Sequence, residues 1–324
     1  MTMQSVLSDK GFKIPFNSSS THWKSELRPL VKGEWMENEA LARYTTVKVG
    51  GPADVLFFPA SVEDLSKALQ FCKQQEVPFF ILGNGSNILV RDGGVRGLVL
   101  RLHRCLNTFK LEKEEGDEVW IRAEAGLATP KLVEYCRQQG YSGIESLYGI
   151  PGSIGGAIIM NAGTREGEVG QAVEELVVLE ANGETKTYPK KKLHFEYRDL
   201  KIPRSEVIVN VCLKLKKVSP EEVSNKLSFF QKRRHETQPL DQPNMGSVFK
   251  NPPKKFAAQL IEELGLKGVR VGGARLSEKH SNWIVNEGGA TSKDILALIG
   301  LIKDKVRELA DVKLETEVKV VGEK

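Results

Sequence analysis

At 324 residues, with hydrophobic side chains at 40% and charged ones at 27%, the sequence is long enough for two or three globular domains with cores of their own. Its 47 basic and 42 acidic residues leave a formal net charge of +5, too small and dispersed an excess to make nucleic acid or a membrane surface the main partner. No stretch approaches the ~20 apolar residues of a membrane span, and Met1–Asn17 has no continuous apolar run, so a cytoplasmic location is expected.

Residues 1–26 read as an arm, with linker composition at Asn17-Ser18-Ser19-Ser20-Thr21. Organised sequence begins near Asn38. Val55-Leu56-Phe57-Phe58 predicts a short buried strand stopped by Pro59. Ser61, with Asp64 three residues on, opens a helix whose apolar face carries Val62, Leu65, Leu69 and Cys72. Phe79–Leu82 returns as a strand and runs into Gly83-Asn84-Gly85-Ser86-Asn87. Strands follow at Val99–Leu102 and Val119–Ala123, then a helix with Thr129 as N-cap, Pro130 at its first position and Gly140 at its end. A second glycine-rich stretch, Gly149-Ile150-Pro151-Gly152-Ser153-Ile154-Gly155-Gly156, comes next.

Leu176–Glu180 and Val207–Leu215 read as strands, and Ala181-Asn182-Gly183 as a hairpin-like turn, so antiparallel pairing enters after the early βα units. Ser219-Pro220-Glu221-Glu222 is a helix start, and a domain boundary is placed near 217. Helices at Lys255–Leu264 (closed by Gly265) and Lys293–Leu309 precede a last strand, Lys313–Val321. The mixture predicts an α+β fold. Cys72, Cys105, Cys136 and Cys212 form no CxxC or zinc spacing and are expected as buried thiols in a reducing compartment. The five histidines show no paired metal spacing, and no metal is expected.

Glycine lets backbone N–H groups approach a ligand closely, and successive N–H groups in a turn suit phosphate oxygens. Taken bare, Gly83–Asn87 reads as a plain tight turn more readily than as a phosphate loop, and Ile88 stands where a dinucleotide fingerprint would have its third glycine. Two such loops on strand–helix scaffolds nevertheless suit a cofactor with two phosphates and an extended body.

Together the two loops resemble the FAD-binding domain of vanillyl-alcohol-oxidase-type flavoproteins, and more narrowly the UDP-N-acetylenolpyruvoylglucosamine reductase (MurB) family of peptidoglycan synthesis. The resemblance continues through Tyr44-Thr45-Thr46-Val47-Lys48-Val49-Gly50-Gly51-Pro52-Ala53 and Glu196-Tyr197-Arg198-Asp199. Gly246-Ser247-Val248-Phe249-Lys250-Asn251-Pro252 and Leu314-Glu315-Thr316-Glu317-Val318 complete it, in family order over residues 38–322. It implies a two-part FAD-binding domain of the vanillyl-alcohol-oxidase/MurB type (27–96 and 97–216, with 311–324 returning to the first part) and a C-terminal α+β substrate-binding domain at 217–310. It further implies FAD held by Thr46, Gly83, Asn84, Gly85, Ser86, Asn87, Gly126, Gly149, Pro151, Gly152, Ser153, Gly155 and Gly156. These loops contain no histidine, so the flavin is expected to be non-covalent. NADPH is the implied hydride donor. The implied substrate is the enolpyruvyl ether of UDP-N-acetylglucosamine, reduced to the lactyl ether in a protein expected to be a monomer.

Ser247 matches the family's proton donor; without that context it is ordinary turn chemistry. Arg198 matches an active-site arginine, a group that can hold a carboxylate by two parallel bonds, while an ion pair with Asp199 or Glu196 is the structural alternative. Glu317 matches a third catalytic residue, though alternation also fits a polar strand face shared by Glu315, Glu317 and Lys319. Asn251 matches a substrate-binding position; Lys250 fits one but equally a solvated strand residue. Arg234 ends a helix, where basic residues suit the dipole, or else clamps the UDP diphosphate; Gln238-Pro239 fits a form of the following family loop. The short segment between Arg198 and Ser247 favours the form lacking an extra tyrosine-bearing loop. An FAD oxidase of the same fold, or a flavin-binding module without catalysis, stays open.

Overall fold

Ser61 caps α2 (Val62–Gln74) as its spacing to Asp64 suggests: its Oγ accepts the Asp64 N–H at 3.1 Å and donates to Asp64 Oδ2 at 2.6 Å. The structure is a computed structural model that describes residues 22–253 and 255–324. Asp64 Oδ1 takes the Lys32 N–H at 2.8 Å. Burial raises the Asp64 pKa, but the bonds from Ser61 and Lys32 outweigh it and hold the carboxyl below its usual range. Leu65, Leu69 and Cys72 are buried as the periodicity requires, whereas Val62, in the first turn, stays 38% exposed.

The chain divides into two compact units. Among the described residues, the first takes 22–37, 55–84 and 96–232; the second takes 38–54, 85–95 and the described part of 233–324. The contact division falls at 232/233, inside the helix that opens at Ser219-Pro220, and not near 217. The arm read at 1–26 lies outside the described residues up to 21, and from there α1 (His22–Leu27) buries Trp23 and Leu27.

In the first unit Phe79–Ile81 pairs in parallel with residues 98–100, the end of the strand Val95–Leu100. A larger antiparallel sheet runs Thr185–Pro189, Val173–Leu179, Val207–Lys217, Glu118–Glu124, Phe109–Glu115. Its central strand, Val207–Lys217, is nearly continuously buried. α3 (Thr129–Gln139) ends at Gly140, at φ +72, but starts one residue earlier than the proline rule suggests, with Ala128 at the N-cap. Thr129 therefore does not cap; its N–H bonds to Gly152 O at 3.0 Å. α4 (Ile154–Ile159) and α5 (Pro220–Thr237) follow, capped by Ser153 and Ser219. Burial pushes the thiols of Cys72 and Cys136 up to about 12, so both stay protonated.

The second unit holds a four-stranded antiparallel sheet, Asn244–Ser247, Trp283–Asn286, Ala274–Leu276, Arg270–Val271. α6 (Ala257–Glu263) and α7 (Ser292–Ala310) enclose a core of Met245, Val248, Phe249, Ile261, Ile284, Leu298 and Ile302. The expected strand 313–321 is shorter than its alternation. Thr316 makes one bridge to Phe249, and Lys319–Val321 pairs in parallel with Ile88–Val90. No helix among the described residues is long and apolar enough to cross a membrane.

Candidate functional site

Along Gly83–Asn87 the backbone N–H groups have no acceptor among the described residues. Successive unpaired N–H donors are what phosphate oxygens need, so this stretch fits the diphosphate of a dinucleotide cofactor. In the first unit Asn84 Nδ2 donates to Gly152 O at 3.1 Å, joining the two glycine loops. Gly83 lies against the Ser153 hydroxyl, and Ser153 Oγ accepts the Gly156 N–H at 3.3 Å. Gly149, Pro151 and Gly156 are exposed, Gly152 and Ser153 buried. Thr129 Oγ1, next to Gly152, is buried with no partner among the described residues, a further unclaimed polar atom beside this loop. Gly155 gives its N–H to Ala125 O at 2.8 Å. A Cβ at Gly126 would stand 2.6 Å from Leu102 O, so the backbone is tightly packed there.

In the second unit Gly85, at φ +64, lies so close to the Tyr44 carbonyl that a Cβ would stand 2.2 Å from its oxygen. Ser86 and Asn87 are half-buried. Thr46, expected at the cofactor, gives its N–H to Gly85 O at 3.1 Å, while its hydroxyl reaches Asn244 O at 2.6 Å and Gly85 O at 3.3 Å.

Arg198 belongs to the first unit. It occupies the tight turn between the paired strands Phe195–Glu196 and Asp199–Leu200, at φ +59. Its Nη2 donates to Gly163 O at 3.1 Å, Nη1 stands 3.6 Å from Glu168 Oε1, and the guanidinium lies 4.9 Å over the Tyr197 ring. The carboxylate beside it is thus Glu168, from the neighbouring hairpin Gly163–Thr164/Gly167–Glu168. Asp199 and Glu196 both pair with Lys201. Asn161, 2% exposed, ties the two hairpins together: Nδ2 donates to Glu168 Oε2 at 2.7 Å and to Glu196 O at 3.0 Å. Its Oδ1 accepts the Gly170 N–H at 3.1 Å.

Ser247 and Glu317 belong to the second unit, on neighbouring segments. Ser247 follows a register irregularity between Asn244 and itself, with Gly246 at φ +73, a break that re-aims the next side chain. Its hydroxyl makes no hydrogen bond among the described residues. Val248 O accepts the Glu317 N–H at 2.8 Å, and Lys250 gives its N–H to Glu315 O at 2.9 Å. Leu314 and Val318 are buried while Glu317 is half-buried, as alternation requires. Asn282, 4% exposed, brackets the segment after Ser247: Nδ2 donates to Phe249 O and Oδ1 accepts the Phe249 N–H.

Of the expected substrate positions, Lys250 is half-buried, and Asn251 Oδ1 takes the Ala257 N–H at 3.1 Å, which starts α6 at Ala257 and not at Lys255. Arg234 lies in the last turn of α5 and its carbonyl accepts the Gln238 N–H at 2.9 Å. Gln238 Oε1 is buried without a partner among the described residues, an acceptor open to a ligand donor. Sequence reasoning gave no role to Asn161, Glu168, Asn244 or Asn282. Asn161 sits in the glycine-rich continuation Met160-Asn161-Ala162-Gly163, a visible signal, whereas the partners that Glu168, Asn244 and Asn282 meet across the fold leave no local trace.

Residues 53–188 match the FAD binding domain family, and residues 238–321 match the family described as UDP-N-acetylenolpyruvoylglucosamine reductase, C-terminal domain. The UDP-N-acetylenolpyruvoylglucosamine reductase of Clostridium novyi is 41% identical over 91% of this chain and 94% of its own length. The UDP-N-acetylenolpyruvoylglucosamine reductase 1 of Bacillus cereus is 40% identical over 90% of this chain and 95% of its own length. The solved reductase (MurB) of Thermus caldophilus superposes with a TM-score of 0.77 at 39% identity, covering 90% of this chain and all of that one.

Proposed function

The chain belongs to the UDP-N-acetylenolpyruvoylglucosamine reductase family, and from that membership we propose that Arg198, Ser247 and Glu317 carry its reaction. The protein is an FAD-dependent oxidoreductase of peptidoglycan precursor synthesis. With NADPH as hydride donor it reduces the enolpyruvyl ether of UDP-N-acetylglucosamine to UDP-N-acetylmuramate. Bound FAD supplies the relay of hydride from NADPH to the methylene carbon of the enolpyruvyl group.

The chain's own task is then to manage charge and a proton. Negative charge develops on the carbon next to the methylene and on its carboxylate. Arg198 holds that carboxylate; its guanidinium is charged at any working pH and offers two parallel donors. Ser247 donates the proton to the neighbouring carbon from an Oγ that no internal partner claims. Glu317 polarises that hydroxyl and shares its proton. Lys250, Asn251, Arg234 and Gln238 grip the UDP-sugar. Gly83–Asn87, Gly149–Gly156 and their neighbours Thr46 and Gly126 form the dissociable FAD site. The enzyme acts as a monomer in the cytoplasm, a setting in which its four free cysteines stay reduced.

The observation that carries the assignment is the 2.8 Å bond from the Glu317 N–H to Val248 O, which sets the glutamate one strand away from the serine. The test is anaerobic. Flavin reduced by NADPH is mixed with the enolpyruvyl sugar and its absorbance followed. Rapid reoxidation is expected in the wild type. In Ser247→Ala the NADPH phase persists and reoxidation slows by roughly 10²–10⁴-fold. Normal turnover in that variant overturns the assignment.

A further inference from the structure

In the second unit, the cofactor loop and the two segments bearing Ser247 and Glu317 form a closed hydrogen-bonded circuit. Gly85 O accepts from the Thr46 N–H at 3.1 Å, and the Thr46 hydroxyl donates to Asn244 O at 2.6 Å, the shortest link of the set. From Asn244 the chain runs through Gly246 to Ser247. Asn244 Oδ1 accepts the Gly246 N–H at 3.0 Å, and its Nδ2 donates to Gln242 O at 2.8 Å and Pro239 O at 3.2 Å, so this turn is braced on three sides. Val248 O then takes the Glu317 N–H. Glu317 O accepts from Asn87 Nδ2 at 3.4 Å, and Asn87 O takes the Lys319 N–H at 3.0 Å, which returns the circuit to the loop.

We propose that Thr46 is a positioning residue for proton delivery: its hydroxyl fastens the Ser247 turn to the FAD loop, so that ordering the loop sets the serine. This rests on the reading of Ser247 as the proton donor. Among the described residues the hydroxyl is the one side-chain hydrogen bond of the circuit between loop and turn, and without it Asn244 O loses its 2.6 Å partner. The Thr46 N–H bond to Gly85 O survives any side-chain change. A variant lacking the hydroxyl therefore keeps the loop's backbone anchor and frees the serine turn.

The test compares Thr46→Val, which keeps the shape and loses the hydroxyl, with Thr46→Ser, which keeps the hydroxyl. Both are assayed at saturating FAD in the two half-reactions. In Thr46→Val, reoxidation by the enolpyruvyl sugar is expected to slow about tenfold, the effect of one part-buried hydrogen bond. Its solvent deuterium isotope effect rises as protonation becomes limiting, and reduction by NADPH is slowed less than reoxidation by the sugar. FAD titrated into the apoprotein binds several-fold more weakly, since the loop has lost one of its ties. Thr46→Ser restores all three. Equal slowing of both half-reactions, an unchanged isotope effect, or failure of serine to rescue overturns the proposal. If Thr46→Val does not fold, Thr46→Ala takes its place with the same expectations, and no slowing there overturns it too. Ser247→Ala run in parallel separates the two readings. A normal rate there sinks the assignment of the donor, whereas a slow Ser247→Ala beside a normal Thr46→Val sinks the positioning role alone.

Discussion

At φ +59 Arg198 adopts a left-handed conformation that costs a non-glycine residue about 1–2 kcal/mol, so its neighbours must hold it there. The hairpin pairing of Glu196 with Asp199 does so on one side, and Gly163 O, Glu168 and Asn161 on the other. At 3.6 Å, with side chains 17% and 30% exposed, the Arg198–Glu168 pair contributes about 1 kcal/mol, not more. Glu168→Gln should therefore raise the substrate KM about fivefold, the rate equivalent of that energy, with flavin reduction by NADPH unmoved. Steady-state kinetics beside the NADPH half-reaction check it; a change in the NADPH phase would mean that Glu168 serves the flavin. Arg198 was legible because it stands in a recognisable tetrapeptide. Glu168 was not, because its partner lies across two hairpins and the nearer acids, Glu196 and Asp199, turn to Lys201.

Helix ends show where local sequence suffices and where it fails. The N-terminus of α7 is fully claimed: Asp92 accepts the N–H groups of Ser292 at 2.8 Å and Lys293 at 3.2 Å, and Thr291 Oγ1 accepts that of Asp294 at 3.1 Å. Asp294 Oδ2 answers by accepting the Thr291 N–H at 2.9 Å. Thr291→Val should cost about 1 kcal/mol in a thermal or denaturant melt, as the loss of a cap does. The Thr291 N–H and hydroxyl hold the Asp294 carboxyl below its usual value of 3.8. Its contribution is complete above that unfolded value and drains away as pH falls through the lower, folded one. The Thr291→Val penalty should accordingly shrink below about pH 4, and a penalty constant with pH would show that the cap is uncoupled from the charge. The start of α2 was legible from Ser61 and Asp64 because both partners lie within four residues. α3 began a residue early because Gly152, remote in sequence, takes the Thr129 N–H. The last strand was overread because alternation at 313–318 satisfies burial with one bridge and no ladder.

At the scale of the whole molecule the two units are interleaved: each takes residues from three separate segments of the chain. The sequence showed the α+β mixture and the order of the motifs, but no local signal marks the returns at 38–54 and 85–95, which depend on partners beyond residue 232. The second unit's short parallel pair, Ile88–Val90 with Lys319–Val321, makes the point testable. A chain truncated after Val318 loses that pair and the Lys319 link to Asn87 O, and should emerge from gel filtration without flavin absorbance and with a lowered melting temperature. Retention of FAD by the truncated protein would show that the loop is held by its other ties alone. The same pairing bears on synthesis. Residues 91–318, more than two thirds of the sequence, separate its two strands, and a ribosome adds about 5–20 residues per second. The loop at 85–87 thus leaves the ribosome tens of seconds before its final partner. Flavin cannot meet a finished site until Lys319–Val321 has emerged, and in the meantime the unpaired edge of Ile88–Val90 is a stretch for chaperones to shield.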